Sequence, residues 1–319
     1  MSTKLNYYKF ENFRLSSGQN VSLRLSYQTF GLKLGKAPLV VVNHSLTGDS
    51  NISGDKGWWS ELIGSKKMID TNKFCVMCIN IPGNIKEKRG FNFGNKWILH
   101  DVAKLFVQLL KNLGVKKVHS LIGGSIGGGL VWEMGLLDGK YFENLIPVAA
   151  DYKASDWLIS NTYFQNLILK NSKNPIFDAR IHAMLSYRNP KSINRRFKIK
   201  SNDSNERKVI DWLNHHGNKL KQKFSLNKYI HMNNLLSSIG YNYEKKFLKL
   251  ITKNKSKIHL VGVNSDLLFP NFEIENTYYL LSTIKKNIYY YQIQSDHGHD
   301  AFLIEFKQMK NKLNHIFEN

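Results

Sequence analysis

Two cysteines, a shortage of acidic side chains and the absence of any long apolar run limit what this chain can be. Cys75 and Cys78 are the only cysteines in 319 residues, too few for the disulfide framework of a small secreted scaffold. Their C-x-x-C spacing suggests redox chemistry or half a zinc site. The surrounding FCVMCINI, however, has the pattern of a buried strand, where side chains three apart point to opposite faces. Two packed core thiols in a reducing compartment are therefore expected. No apolar run reaches the roughly 18–20 residues that a spanning helix needs. The N-terminal MSTKLNYYKFENFRLSSG has neither an apolar h-region nor a small-residue cleavage site, so a cytoplasmic protein without a signal peptide or membrane association is expected. Acids number 24 against 46 Lys and Arg, a formal charge of +22. Arg is scarce among those bases, and the lysines are spread along the chain with many Asn. Nucleic-acid readers concentrate Arg and Lys on one element with interleaved aromatics. The excess charge is thus read as solvated faces, with no nucleic-acid partner. No cluster with metal-ligand spacing is visible.

At 42% hydrophobic and 12% aromatic the chain can fill a globular core. Short apolar runs alternate with helical patterns, the rhythm of an α/β sheet. Residues 20–30 alternate like a half-buried antiparallel strand. The runs at 37–45 and 74–81 have the character of strands covered on both faces, and 117–125, 144–150, 257–266 and 287–297 read as further strands. Helical spacing marks 97–114, 272–285 and 301–317. From 151 to 240 the strand-like runs stop. Residues 1–150 and 241–319 therefore form the expected α/β core, and 151–240 a helical lid inserted over one edge of the sheet.

Gly123-Gly124-Ser125-Ile126-Gly127 matches G-x-S-x-G between a strand and a helix. A chain turning that sharply crowds its neighbours, and residues without side chains relieve the crowding. The Ser hydroxyl is exposed above the helix N-terminus, where the dipole and the N–H of Ile126 favour an oxyanion. An acid and a His should follow in chain order. Asp266 sits just past a late strand, and His297 and His299 follow the last one. Taken singly, Asp266 is a common turn residue and either His an ordinary loop residue. Together they predict an α/β-hydrolase fold with a triad of Ser125, Asp266 and one of the two histidines, His297 or His299. The second oxyanion donor is expected in NHSLTG at 43–48, on the N–H of Leu46, with His44 and Thr47 as loop-solvating or substrate-facing side chains.

The chain resembles the homoserine O-acetyltransferases of methionine biosynthesis. The resemblance runs through SLRLSYQTFG, NHSLTG, GWWSELIGSKKMIDTNKFCVMCIN, LIGGSIGG, ARIHAMLSYR, GVNSDLLFP and GHDAFL, and GHDAFL selects His299 over His297. It implies a ping-pong mechanism: acetyl-CoA acylates the Ser, CoA leaves, and the hydroxyl of L-homoserine attacks the acyl-enzyme. It also implies an acceptor site in which Arg180 clamps the homoserine carboxylate, Asp300 receives the ammonium, and Tyr187 and Thr47 complete the polar wall. Acetyl-CoA is a substrate and no cofactor is held permanently; relatives commonly form homodimers through lid helices. A positive field would help collect a polyanionic thioester. The chain departs from the family in the shortened, charged INIPGNIKEKRGFNFGNK, in Gly128-Gly129-Leu130 after the elbow, and in HHGNKLKQKF within the lid. These leave the triad intact and touch the donor and acceptor pockets. A succinyl donor, a serine acceptor, or an esterase on the same scaffold therefore stay open as alternatives.

Overall fold

The computed structural model describes residues 4–84, 91–198, 208–243 and 245–318. Residues 85–90 of the shortened glycine-rich stretch and 199–207 of the expected lid lie outside that set. Eight strands make the main sheet: β1 (Asn6–Arg14), β2 (Asn20–Gly31), β3 (Leu39–Asn43), β6 (Cys75–Ile79), β7 (Val118–Gly124), β8 (Phe142–Val148), β9 (Lys257–Val263) and β10 (Ile288–Ile293). Two short strands, β4 (Ile63–Gly64) and β5 (Ile69–Asp70), pair apart from it. The order is β1-β2-β6-β3-β7-β8-β9-β10. The β1–β2 and β2–β6 pairings are antiparallel and the rest parallel.

Every residue of β3 and β6 is buried, because layers of side chains cover both faces of the sheet. Along β6, Cys75, Met77 and Ile79 pack into one core, and Val76 and Cys78 into the other. The two thiols are free and separated by the sheet itself. Burial pushes Cys75 up to about 11 and Cys78 well above the ordinary thiol range, the opposite of an activated thiolate.

One face carries α1 (Leu99–Asn112) and α2 (Ile126–Leu137); the other is covered by α10 (Phe306–Leu313). α2 is apolar or glycine almost throughout and buries all its residues except Leu137, as a helix hydrophobic all round must. Asp101 opens α1 by accepting the Ile98 N–H at 3.2 Å. Its other oxygen accepts the Ser16 N–H and hydroxyl at 2.7 and 2.6 Å, pinning the β1–β2 hairpin.

Between β8 and β9 the chain leaves the sheet for a helical insertion: α3 (Asp156–Asn171), α4 (Pro175–Tyr187), α5 (Pro190–Arg196), α6 (Lys208–Lys223) and α7 (Leu226–Ser237). Pro175 and Pro190 start their helices at the first turn, where a missing N–H costs nothing. Ser155 and Ser225 cap α3 and α7 through their hydroxyls. The two ends of the insertion are tied together, Ala154 N–H to Ile239 O at 2.9 Å. α8 (Phe247–Lys253) then leads back to β9, and α9 (Asn271–Ser282) joins β9 to β10. Among the described residues, no helix is long and apolar enough to cross a membrane.

The C-terminus corrects one expectation. In place of a single helix over 301–317 there is a 3-10 turn at Gly298–Leu303, then α10, then a second 3-10 turn at Asn314–Ile316. The tighter first turn puts Ala301 and Phe302 into the core while keeping His299 against Asp266. The helix restarts only after Glu305, whose carboxylate accepts the Ser295 hydroxyl at 2.7 Å.

The chain runs from β3 to β6 on one side and returns to β7 on the other, so the strand order reverses between β3 and β7. Open α/β sheets bind ligands in the crevice outside such a point. Leu46 follows β3 there and Ser125 follows β7.

Candidate active site

Ser125 lies between β7 and α2 with φ 61° and ψ −130°, a conformation that L-residues rarely hold. Its N–H donates to Val148 O at 2.9 Å, and its carbonyl accepts Gly128 and Gly129 N–H at 2.8 and 3.0 Å. The flanking glycines are set by crowding. A Cβ on Gly124 would lie 2.4 Å from the Phe302 ring, and one on Gly127 2.4 Å from Asn43 O. Leu46 and Ile126 are buried. Among the described residues, neither backbone N–H has a protein acceptor.

His44 holds the loop carrying Leu46. It is fully buried; its Nε2 accepts the Ile81 N–H at 3.0 Å, which leaves Nδ1–H to donate to Ser45 O at 2.8 Å. Burial pushes its pKa down to about 4, so the ring stays neutral in this tautomer. Sequence reasoning left His44 open between solvation and function; the structure makes it a buried brace for the loop.

Asp266 sits just beyond β9. Its Oδ1 accepts the N–H groups of Leu268 and Phe269 at 2.8 and 2.9 Å. Its Oδ2 accepts His299 Nδ1–H at 2.7 Å. The His299 ring lies 5.6 Å, between centroids, from each of Phe269, Phe302 and Tyr187. Its Nε2 is buried and has no protein partner among the described residues. Burial is the largest influence on this imidazole and lowers its pKa. The charge and hydrogen bond of Asp266, helped by Asp300, outweigh it and leave the pKa raised. His297 contacts Arg188 Nη1 at 3.4 Å and Ser192 Oγ at 3.2 Å, away from Asp266.

The insertion closes over this turn. Gly298 has φ 68°, and a Cβ there would meet Tyr187 O at 2.7 Å and Asn189 N at 2.8 Å, so only glycine lets the His299 turn touch the end of α4. Trp157 Nε1–H donates to Leu267 O at 2.6 Å, and Asn189 Nδ2–H to Ser265 O at 3.3 Å. Arg180 is half-buried, with its guanidinium 5.5 Å from the centre of the Tyr187 ring and no carboxylate partner among the described residues. Leu46, Gln165, Tyr187, Tyr229 and Leu268 help line a small cavity of about 20 Å³.

Asp300 is engaged by Arg188, whose Nε lies 3.0 Å from its Oδ2, although the N–H is not aimed well enough for a hydrogen bond. Sequence reasoning passed over Arg188, the last residue of ARIHAMLSYR; an Arg beside a Tyr marked for the site was the available signal. Thr47 is exposed and lies outside the cavity lining.

A family model described as the alpha/beta hydrolase fold matches residues 38–306. The homoserine O-acetyltransferase of Cyclobacterium marinum is 30% identical, over 95% of this chain and 92% of that protein. The homoserine O-acetyltransferase structure from Bacillus anthracis superposes with a TM-score of 0.88 at 16% identity, covering 100% of this chain and 98% of that one. Esterase E22 superposes with a TM-score of 0.85 at 15% identity, covering 99% of this chain and 100% of that one. At those identities the structural likenesses speak for the fold, and the full-length sequence match for the family. With its eight-stranded, mostly parallel sheet and its helical insertion, the chain belongs to the homoserine O-acetyltransferase family of the alpha/beta hydrolase fold.

Proposed function

We propose that this enzyme transfers the acetyl group of acetyl-CoA to the hydroxyl of L-homoserine through an acyl-Ser125 intermediate. Ser125 Oγ attacks the thioester carbonyl as His299 Nε2 takes its proton, with Asp266 holding Nδ1–H and so fixing the tautomer. The N–H groups of Leu46 and Ile126 receive the developing oxyanion. The thiol leaves with the proton from His299. Homoserine then enters, His299 takes its hydroxyl proton, the alkoxide attacks the acyl carbonyl, and Ser125 leaves with that proton returned from His299 to give the O-acetyl ester and the free enzyme. Ser125 and His299 are both buried, so the insertion acts as a lid whose side chains part to admit the substrates.

The observation that carries acyl transfer, as opposed to hydrolysis alone, is the line of contacts Arg180–Tyr187–His299. A half-buried guanidinium without a counterion is costly unless a ligand carboxylate completes it, and a planar fork suits that carboxylate. An amino-acid acceptor bound there places its hydroxyl toward the imidazole, while Asp300 takes the ammonium. Hydrolysis of the same acyl-enzyme by water is the second reading, favoured by the likeness to esterase E22.

The test is a matrix of thiol-release assays with acetyl-CoA and succinyl-CoA, each with homoserine, serine or no acceptor. Acetyl-CoA with homoserine should be fastest. Equal release without acceptor would make the protein a hydrolase. Arg180→Lys should raise KM for homoserine about 10- to 100-fold, the size of a lost charge-assisted bond, and leave KM for acetyl-CoA nearly unchanged; equal effects on both would remove Arg180 from the acceptor site.

A further inference from the structure

A second cavity opens on the outer side of the His299 turn. It is a cleft of about 180 Å³ whose lining includes Arg188, Arg195, Arg196, Phe197, Trp212 and Asp296. Three guanidinium groups face one carboxylate, Asp296, which Arg195 already pairs. Arg196 has no carboxylate partner among the described residues and lies 5.6 and 5.8 Å from the centres of the Phe197 and Trp212 rings. Those rings are 5.6 Å apart and tilted by 54°. Arg188 joins the cleft to the active site: its Nε reaches Asp300, the neighbour of His299, and its Nη1 approaches His297.

Planar forks of this kind match phosphate oxygens two at a time, and the half-buried rings of Phe197 and Trp212 beside them offer faces on which a heteroaromatic base can stack. A carboxylate ligand would need the forks and not the rings. A lipid chain would need the rings and not three guanidiniums. We propose that this cleft binds the phosphorylated adenosine end of the thioester donor, with the acyl-bearing arm passing Arg188 toward Ser125. Arg195 and Arg196 hold phosphates, and Trp212 with Phe197 carries the base. The proposal rests on acetyl-CoA being the donor, and it deepens that reading by naming where the donor's charge is recognised. The positive field across this face also reaches His216 on α6, whose pKa falls to about 4 through burial, then through Arg180, His215 and Arg188.

The test titrates adenosine 3′,5′-bisphosphate, inorganic phosphate and adenosine into the full-length protein by calorimetry. Wild type should bind the bisphosphate most tightly, and the bisphosphate should compete with acetyl-CoA but not with homoserine. Arg196→Ala should weaken its binding about 10- to 100-fold and raise KM for acetyl-CoA in step. Trp212→Leu should weaken it roughly 5- to 100-fold, the value of one stacked base. Trp212→Phe, which keeps a ring, should retain most of the binding and guards against misfolding of the leucine variant. Lys117→Ala, in a separate lysine-lined cleft, should change nothing. Failure of wild type to bind the bisphosphate, or equal binding by Arg196→Ala, Trp212→Leu and wild type, overturns the proposal. If acetyl-CoA is not turned over at all, the proposed function fails, and the titration still decides the cleft.

Discussion

Replacing Asp266 by Asn exposes how the imidazole is held. Asp266 Oδ1 accepts two backbone N–H groups, from Leu268 and Phe269, at 2.8 and 2.9 Å. The amide oxygen of an Asn must take that place, which turns its NH2 toward His299 Nδ1. Flipping the amide would strand two buried N–H groups at roughly 1–3 kcal/mol each, so the flipped form is at most a few per cent of the population. His299 Nδ1 must then accept, the ring proton moves to Nε2, and Nε2 can no longer take a proton from Ser125. The expected loss in kcat/KM lies between about 30-fold, if the flipped minority is fully active, and about 10⁴-fold, as in serine-protease triads.

The pH profile adds a second readout. In the proposed mechanism the neutral imidazole is the base, so activity should fall as pH drops through the His299 pKa, which Asp266 and Asp300 raise above the ordinary 6.5. In the variant the dominant raising influence is gone and burial remains, so the acid limb should move to lower pH. Thiol release from acetyl-CoA across pH 5–9, with circular dichroism to confirm folding, measures both. A folded variant losing less than about tenfold, or one whose acid limb moves upward, refutes the tautomer argument.

Two other perturbations follow from the same geometry. Ser125→Gly should be more stable than Ser125→Ala by about 1 kcal/mol in urea unfolding, although Gly is ordinarily the less stable of the two; both lack the hydroxyl, but only Gly is at ease at φ 61°. An alanine variant as stable as the glycine one would mean that the elbow is unstrained. Asp151 is buried at the end of β8, where burial raises its pKa to about 7 against the pull of Thr277 and the Tyr152 N–H. An acid whose folded pKa lies above its unfolded value of 3.8 favours the native state at low pH, and that contribution drains away as pH rises from about 4 to 7. Both hydrogen bonds fall on Oδ1, so Asp151→Asn can keep them and should raise the melting temperature at pH 8 while changing little at pH 4. Equal shifts at both pH values would show that Asp151 is not protonated in the fold.

The parallel strands were legible because strands covered on both faces are apolar at nearly every position, as in LVVVN and CVMCI. The elbow was legible because crowding by Phe302 and Asn43 excludes side chains beside Ser125, leaving glycines in the sequence. β1 does not carry a strand pattern in the sequence. It buries only Phe10 and Phe13, and a bulge between them, with Asn12 at φ 53°, breaks the two-residue alternation. The C-terminal pattern looks like one helix because Phe302, Met309 and Leu313 are core residues and the partly buried Phe306 packs against them. That spacing is satisfied equally by a 3-10 turn followed by a short helix, and the demand that His299 reach Asp266 makes the choice. Arg188 escaped notice because its role comes from contacts with Asp300 and His297, more than 100 residues away in the chain.

Mixing the protein with acetyl-CoA alone, then digesting it for mass spectrometry, tests the proposed chemistry at its first covalent step. One equivalent of thiol should be released in a burst, with a single acetyl group on the peptide containing Ser125, and later addition of homoserine should discharge that group as the O-acetyl ester. Thiol release that requires homoserine from the start, or an acetyl group found on any residue other than Ser125, would contradict the account.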